Sequence, residues 1–281
     1  MNQDLRSGVR HRLKCVRGAA LDFWAQRHLV RALLWRQWQQ RYAGSALGGL
    51  WALLQPLAQL ALYALVFQWI FQVRLPQAGA NQPYVLWLAL GLWPWMALQE
   101  ALVRGAGAVV AHAAWVQKVA FDSAWLVVAA VAAAFALHAL GHAVVLALLM
   151  AGGAALAPHL LWQWPLTWLA LLAVALGTAL WLAAAQVYVR DIEPLLPQVL
   201  PLVLYASPVL YPLALVPEPL QAVLVFNPLT GLLEPLRAAA LGWGPGWSAA
   251  QAAGALALCA GWAALGWWGF HRLAPDFEDA L

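Results

Sequence analysis

The sequence has little charge. Of 281 residues, 15 are Lys or Arg and 11 are Asp or Glu, so 9% of the chain is charged. Ordinary soluble domains carry about 25%, and a water-facing surface over the whole chain is excluded. Lysine is scarcer still. Lys14 and Lys118 are the two, and neither follows a glycine-rich stretch. With no GxxxxGK[ST] loop to cradle phosphates, any ATP-driven work needs a second chain. Cys15 and Cys259 are two cysteines at opposite ends, which gives neither a disulfide framework nor a metal set. A GxSxG elbow and an HExxH helix are absent as well. His138 and His142 stand four apart, a metal-capable spacing, but no carboxylate or third ligand accompanies them. Helix packing is the expectation there, and no metal.

Apolar residues fill the space that charge leaves. They make up 64% of the chain, and the mean hydropathy is +0.72. Runs of 18 or more apolar residues are long enough to cross a bilayer as helices. Such runs occupy about 51–71, 84–103, 123–151, 166–189 and 249–270, with a proline-broken segment at 195–207. The predicted fold class is therefore an all-α integral membrane protein with six transmembrane helices. Pro197, Pro201, Pro208 and Pro212 are expected to break the fifth segment. Residues 208–242 read as a re-entrant helical pair, because non-spanning backbone at that depth needs protein or water around it. The rival reading makes them a seventh span. Pro94 is expected to kink the second span, and 104–122 reads as a loop that is helical in pattern but too polar to cross.

Nine basic residues, Arg6, Arg10, Arg12, Lys14, Arg17, Arg27, Arg31, Arg36 and Arg41, crowd the first 42 positions. Beside a span, such a run reads as a cytoplasmic anchor rather than a nucleic-acid patch. It lacks the apolar core of a signal peptide, so no cleavage is expected. Within it, residues 21–42 read as an amphipathic helix lying in the headgroup plane, with Trp24, Leu33 and Trp38 on one face and Arg27 and Arg31 on the other. The division that follows is 1–45 as basic cytoplasmic N-terminus with interfacial helix, 46–272 as transmembrane domain, and 273–281 as short cytoplasmic tail. Arg104, Lys118, Arg190 and Arg272 fall on the same side as the N-terminus, against Arg74 and Arg237 on the other. Both termini are therefore expected in the cytoplasm.

The chain has 19 tryptophans. Most stand at predicted membrane edges, as an aromatic belt does. Trp93, Trp95 and Trp181 lie deeper. With Tyr63, Phe67, Tyr188, Tyr205 and Tyr211 they are candidates to line a substrate path, since aromatic faces stack on the C–H faces of sugars. For each one singly, lipid or core packing competes. Charges within spans are costly and usually functional. Glu100 and Arg104 are spaced to pair, as are Glu234 and Arg237. No chain of carboxylates crosses the membrane, which argues against a proton- or sodium-driven carrier.

The stretch Arg36 to Pro56, RQWQQRYAGSALGGLWALLQP, resembles the start of the first span in permeases of polysaccharide-exporting ABC transporters. The pattern there is roughly R-D-L-K-x-R-Y-x-x-S-x-L-G-x-x-W…P. Arg36, Arg41, Tyr42, Ser45, Leu47, Gly48, Trp51 and Pro56 match it, while Gln37 replaces the acidic residue. GLWPWMALQEAL, VQKVAFD, VYVRDIEPLLP, SPVLYPLALVP and NPLTGLLEPLRAAALG follow in the family's order, with Asp122 where the family usually has Pro. The nearest likeness is to Wzm-type O-antigen permeases, with capsule (KpsM-type) and teichoic-acid (TagG-type) permeases as relatives.

This resemblance implies a homodimer in the bacterial inner membrane, with a separate ATPase bound to each subunit. ATP and Mg would sit on that partner, and no cofactor on this chain. The cargo would be lipid-linked polysaccharide: O-antigen, or a capsular or teichoic-type polymer. The motif Arg36, Arg41, Tyr42, Ser45 and Trp51 would admit it. Residues 105–118, flanked by Arg104 and Asp122 and including His112 and Lys118, would couple to the ATPase. Pro208, Pro212, Asn227, Glu234 and Arg237 would belong to an outer gate. A small-molecule exporter and an intramembrane transferase stand as the other readings.

Overall fold

The computed structural model describes residues 44–45, 48–73, 75, 84–118 and 121–281. The amphipathic helix expected over 21–42 lies outside the described residues, as do Arg36, Arg41, Tyr42 and Leu47 of the first-span motif. Every regular element among the described residues is helical. We number the α-helices in chain order: α1 (Trp51–Ala64), α2 (Tyr84–Gly107), α3 (Ala113–Lys118), α4 (Ala124–Ala151), α5 (Leu160–Tyr188), α6 (Ile192–Tyr205), α7 (Glu218–Leu224), α8 (Pro228–Leu241), α9 (Ala249–Leu273) and α10 (Phe277–Ala280).

Among the described residues, five stretches are long and apolar enough to cross a membrane: Gly48–Ile70, Tyr84–Gly107, Ala124–Ala151, Leu160–Tyr188 and Ala249–Asp276. The segment read as a fifth span forms α6, which has 14 residues. At 1.5 Å per residue that is roughly 21 Å. Pro197 and Pro201, expected to break it, stand inside the helix. A proline inside a membrane helix is tolerated where neighbouring groups satisfy the freed carbonyl, and the helix ends only at Tyr205, before Pro208 and Pro212. Pro165 likewise stands inside α5. Pro94 stands inside α2 without ending it.

Local chemistry fixes several boundaries. The Asp122 carboxylate accepts the Ala124 N–H at 3.0 Å, opening α4. Asn227 caps α8 by accepting from Leu229 N at 2.9 Å, and Gly242, at φ 71°, closes it in the left-handed conformation. Ser248 and Gln251 form a reciprocal capping box on α9.

α2 is the central helix and packs against α1, α4, α5, α6 and α8. α9 packs mainly on α5, at very close range. A Cβ on Gly269 would stand 2.1 Å from the Trp181 ring, so only a residue without a side chain fits there. Small residues that let backbones approach are the usual source of helix association in lipid. α1 is the outlier, leaning on α2 and α4 along one side with most of its surface free.

Candidate functional site

One face of α1 reads Trp51, Gln55, Gln59, Tyr63, Phe67 and Phe71, a residue every four positions. In an α-helix a four-residue step overshoots the 3.6-residue turn, so such a row winds slowly around the axis. Beyond Ala64 the helix widens into a π stretch, Leu65–Ile70, and Phe71 N donates to Val66 O at 2.9 Å. Wider turns make the same step fall short, and the outer part of the row winds back. Its rings remain neighbours: Tyr63 and Phe67 are 6.3 Å apart, Phe67 and Phe71 5.7 Å. Stretches of π-helix are rare and often functional.

The inner half of this row borders a cavity of about 590 Å³ between α1, α2 and α4, reached by Ser45 and Trp51. Its far wall carries three side chains joined by hydrogen bonds. Arg104 Nε donates to Glu100 Oε1 at 2.6 Å, and His138 Nε2 lies 2.9 Å from Glu100 Oε2. Spacing gave the Glu100–Arg104 pair. It gave no hint of His138, 38 residues away on another helix. Gln99 lines the same wall and accepts from Trp95 Nε1 at 3.1 Å. Gln55 and Gln59 face them from α1.

The outer half of the row meets the end of α6. Tyr63 lies beside Gln59 and Tyr205, and Tyr211 donates its hydroxyl to the Tyr205 carbonyl at 2.8 Å. Of the eight aromatic path candidates, the structure therefore groups Tyr63, Phe67, Tyr205 and Tyr211. The other four are elsewhere. Trp93 and Trp95 are fully buried inside the subunit. Trp93 stacks on His142 at 5.9 Å and 8°, and Trp164 Nε1 donates to His142 Nδ1 at 3.2 Å. Trp181 fills the seam at Gly269. Tyr188 ends α5 and donates to the Leu273 carbonyl at 3.2 Å. Depth in the sequence was the signal for Trp93, Trp95 and Trp181, and in a helix bundle depth fits a packed seam as well as a path.

Arg237 anchors the outer loop. It is fully buried, with its guanidinium 3.6 Å from the centroid of the Trp87 ring. Nη1 donates to Pro208 O at 2.7 Å and to Glu234 Oε1 at 2.9 Å, and Nη2 to Val209 O at 2.8 Å. Gly91 makes the room, since a Cβ there would stand 1.9 Å from Nη2. The Asn227 amide donates to Ser207 Oγ at 2.8 Å, tying the same loop to the start of α8. Pro212 borders a smaller cavity of about 230 Å³ with Glu234 and Trp87. Charge counting assigned Arg237 to the side away from the N-terminus and spacing gave its pair with Glu234, while a bidentate fork to carbonyls over an indole face suits a buried arginine.

At the opposite end, His112 Nδ1 lies 2.9 Å from Ala108 O, and its ring is 5.6 Å from that of Trp115. Lys118 is exposed. Asp122 Oδ2 is 3.0 Å from His271 Nε2 on α9, so it joins the connection after α3 to the last long helix. Arg104 belongs with Glu100 on the cavity wall. Ser45, Trp51 and Pro56 are the described members of the first-span motif at this cavity.

Residues 28–241 match the ABC-2 type transporter family. An O-antigen export system permease protein RfbA of Myxococcus xanthus is 29% identical over 228 residues, covering 77% of this chain and 82% of that one. A protein of the same name from Klebsiella pneumoniae is 26% identical over 196 residues, covering 69% and 72%. The polysialic acid transport protein KpsM of Escherichia coli is 23% identical over 223 residues, covering 79% and 85%. These names carry the resemblance read from the motifs at Arg36–Pro56 and beyond. The chain, with its bundle of long apolar helices, belongs to the ABC-2 type transporter family.

Proposed function

We propose that this chain is the membrane-spanning subunit of an ATP-driven exporter of lipid-linked polysaccharide. The observation that carries the reading is the row from Trp51 to Phe71 on a helix otherwise left uncovered. Polar and aromatic side chains on such a helix need a hydrated cavity or a protein partner. A second copy of the chain, facing α1 and the end of α6 across a two-fold axis, would enclose a path that rings and amides line. Tyr63, Phe67, Tyr205 and Tyr211 then offer flat apolar faces, over which sugar rings slide without being gripped. The relatives' names, O-antigen and polysialic acid export, point to the same cargo class.

In this assembly α6 with the residues after it is the fifth of six crossings, and α7 and α8 are a re-entrant pair. The segment held by Arg237 forms the outer gate. Residues 105–118 seat in an ATPase, one copy per subunit, which holds ATP and Mg. Both termini and that loop face the cytoplasm of a bacterium, and the bundle lies in its inner membrane. Motion of the ATPases reaches α9 through Asp122 and His271.

The test is a strain deleted for this chain, complemented with the intact chain or with Tyr63→Ala plus Phe67→Ala. Surface polymer is expected to vanish on deletion, to return with the intact chain and to stay at least fivefold lower with the double variant. Normal surface polymer in the deleted strain overturns the reading, and loss of drug resistance instead would favour a small-molecule exporter.

A further inference from the structure

We propose that the cavity between α1, α2 and α4 is a hydroxyl-reading subsite for uncharged sugar units of the transported polymer. The amides of Gln55, Gln59 and Gln99 do the reading, and Trp51 supplies a stacking face. The proposal rests on the export reading above and names which part of the substrate this cavity meets.

Three observations carry it. The first is chemical type. A glutamine amide both donates and accepts, which matches neighbouring hydroxyls on one sugar ring. Gln55 and Gln59 are exposed or half-buried toward the cavity, and Gln55 has no hydrogen-bond partner among the described residues. Amides inside a predicted span are costly unless water or a polar ligand meets them.

The second is charge. Arg104 is the only guanidinium among the described lining residues, and its Nε is bound to Glu100 at 2.6 Å. A phosphate group entering here would meet a guanidinium whose charge is already offset by the Glu100 carboxylate, and that carboxylate would repel it. A hydroxyl can pair with a glutamine amide while Arg104 and His138 stay in place on Glu100. The wall therefore favours the neutral part of a lipid-linked glycan over its phosphorylated end.

The third is extent. Trp51 to Gln59 covers about 12 Å along α1, longer than a single sugar ring. The volume of about 590 Å³ lies in the range of small-molecule sites. The same row of side chains leads directly into Tyr63 and Phe67.

The test uses the full chain in lipid nanodiscs with Val103→Cys as reporter, because Val103 lines the cavity and is none of the reading groups. Alkylation at position 103 is followed by peptide mass spectrometry. Two probes are compared at equal concentration: glycan freed by mild acid from the host's own lipid-linked polymer, and inorganic pyrophosphate. The glycan is expected to slow alkylation at least threefold and pyrophosphate to leave it unchanged. Adding Gln55→Leu and Gln59→Leu is expected to abolish the protection while thermal unfolding stays as it was. Protection by pyrophosphate without protection by glycan overturns the proposal in favour of a phosphate site. Protection by neither overturns it in favour of a crevice that holds only water. Either result, in a chain whose deletion still removes surface polymer, sinks the subsite and leaves the export reading standing.

Discussion

α1 and α2 are both long enough to cross a bilayer, yet they stand at opposite extremes of burial. The α1 stretch is the more apolar of the two and largely exposed, while α2 is largely buried. The less apolar helix is the one inside. In water this ordering would be perverse. In lipid it is natural, because the tails are as apolar as a leucine core and helices associate through close fit and polar contacts. Hydropathy therefore separates membrane from water, and side-chain shape separates seam from periphery. α2 is built of Trp, Leu, Gly and Ala that interlock with five neighbouring helices. α1 carries a row of amides and rings that nothing among the described residues fully covers.

Truncations to alanine, two of them at tryptophans, test that contrast. The largest effect is expected from Arg237→Ala, which leaves the Pro208 and Val209 carbonyls unpaired against α2. Removing one partner from a buried charged network costs about 3–5 kcal/mol, read as a fall in the thermal midpoint of the purified protein. Trp93→Ala comes next, opening a cavity beside His142 at a cost of about 3 kcal/mol. Asn227→Ala, which removes the α8 cap, should cost about 1 kcal/mol. Trp69→Ala on the π stretch should stay within about 0.5 kcal/mol, since Trp69 is 76% exposed. If Trp69→Ala proves as costly as Trp93→Ala in the isolated subunit, the contrast between the two helices is broken.

Sequence patterning located the long helices because apolar length is a one-dimensional quantity. It also located pairs at helical spacing, Glu100 with Arg104 and Glu234 with Arg237, because these depend only on turn geometry. Partners set by helix packing were out of reach. Periodicity assigns faces but not which faces meet, so His138 on Glu100, Trp87 under Arg237 and Trp181 on Gly269 left no trace in it. The π stretch was equally hidden, since Leu65–Ile70 differs from ordinary helical sequence in hydrogen bonding rather than composition. Proline misled at Pro197 and Pro201, where rules from water overstate its power to end a helix in lipid.

The two ends of α6 are fastened to the same neighbour. At one end the Glu193 carboxylate lies so near Gly107, where α2 finishes, that a Cβ there would stand 3.1 Å from it. Past the other end, Tyr84 at the start of α2 donates its hydroxyl to the Leu210 carbonyl, and Arg237, laid on Trp87, grips Val209. The short helix is strung along α2 like a cord along a bow, a stave of 24 residues and roughly 36 Å. Such a cord cannot slip lengthwise. It can be plucked sideways, or freed at whichever knot is weaker, and the knot at Gly107 is a contact where the one at Val209 is a buried cation.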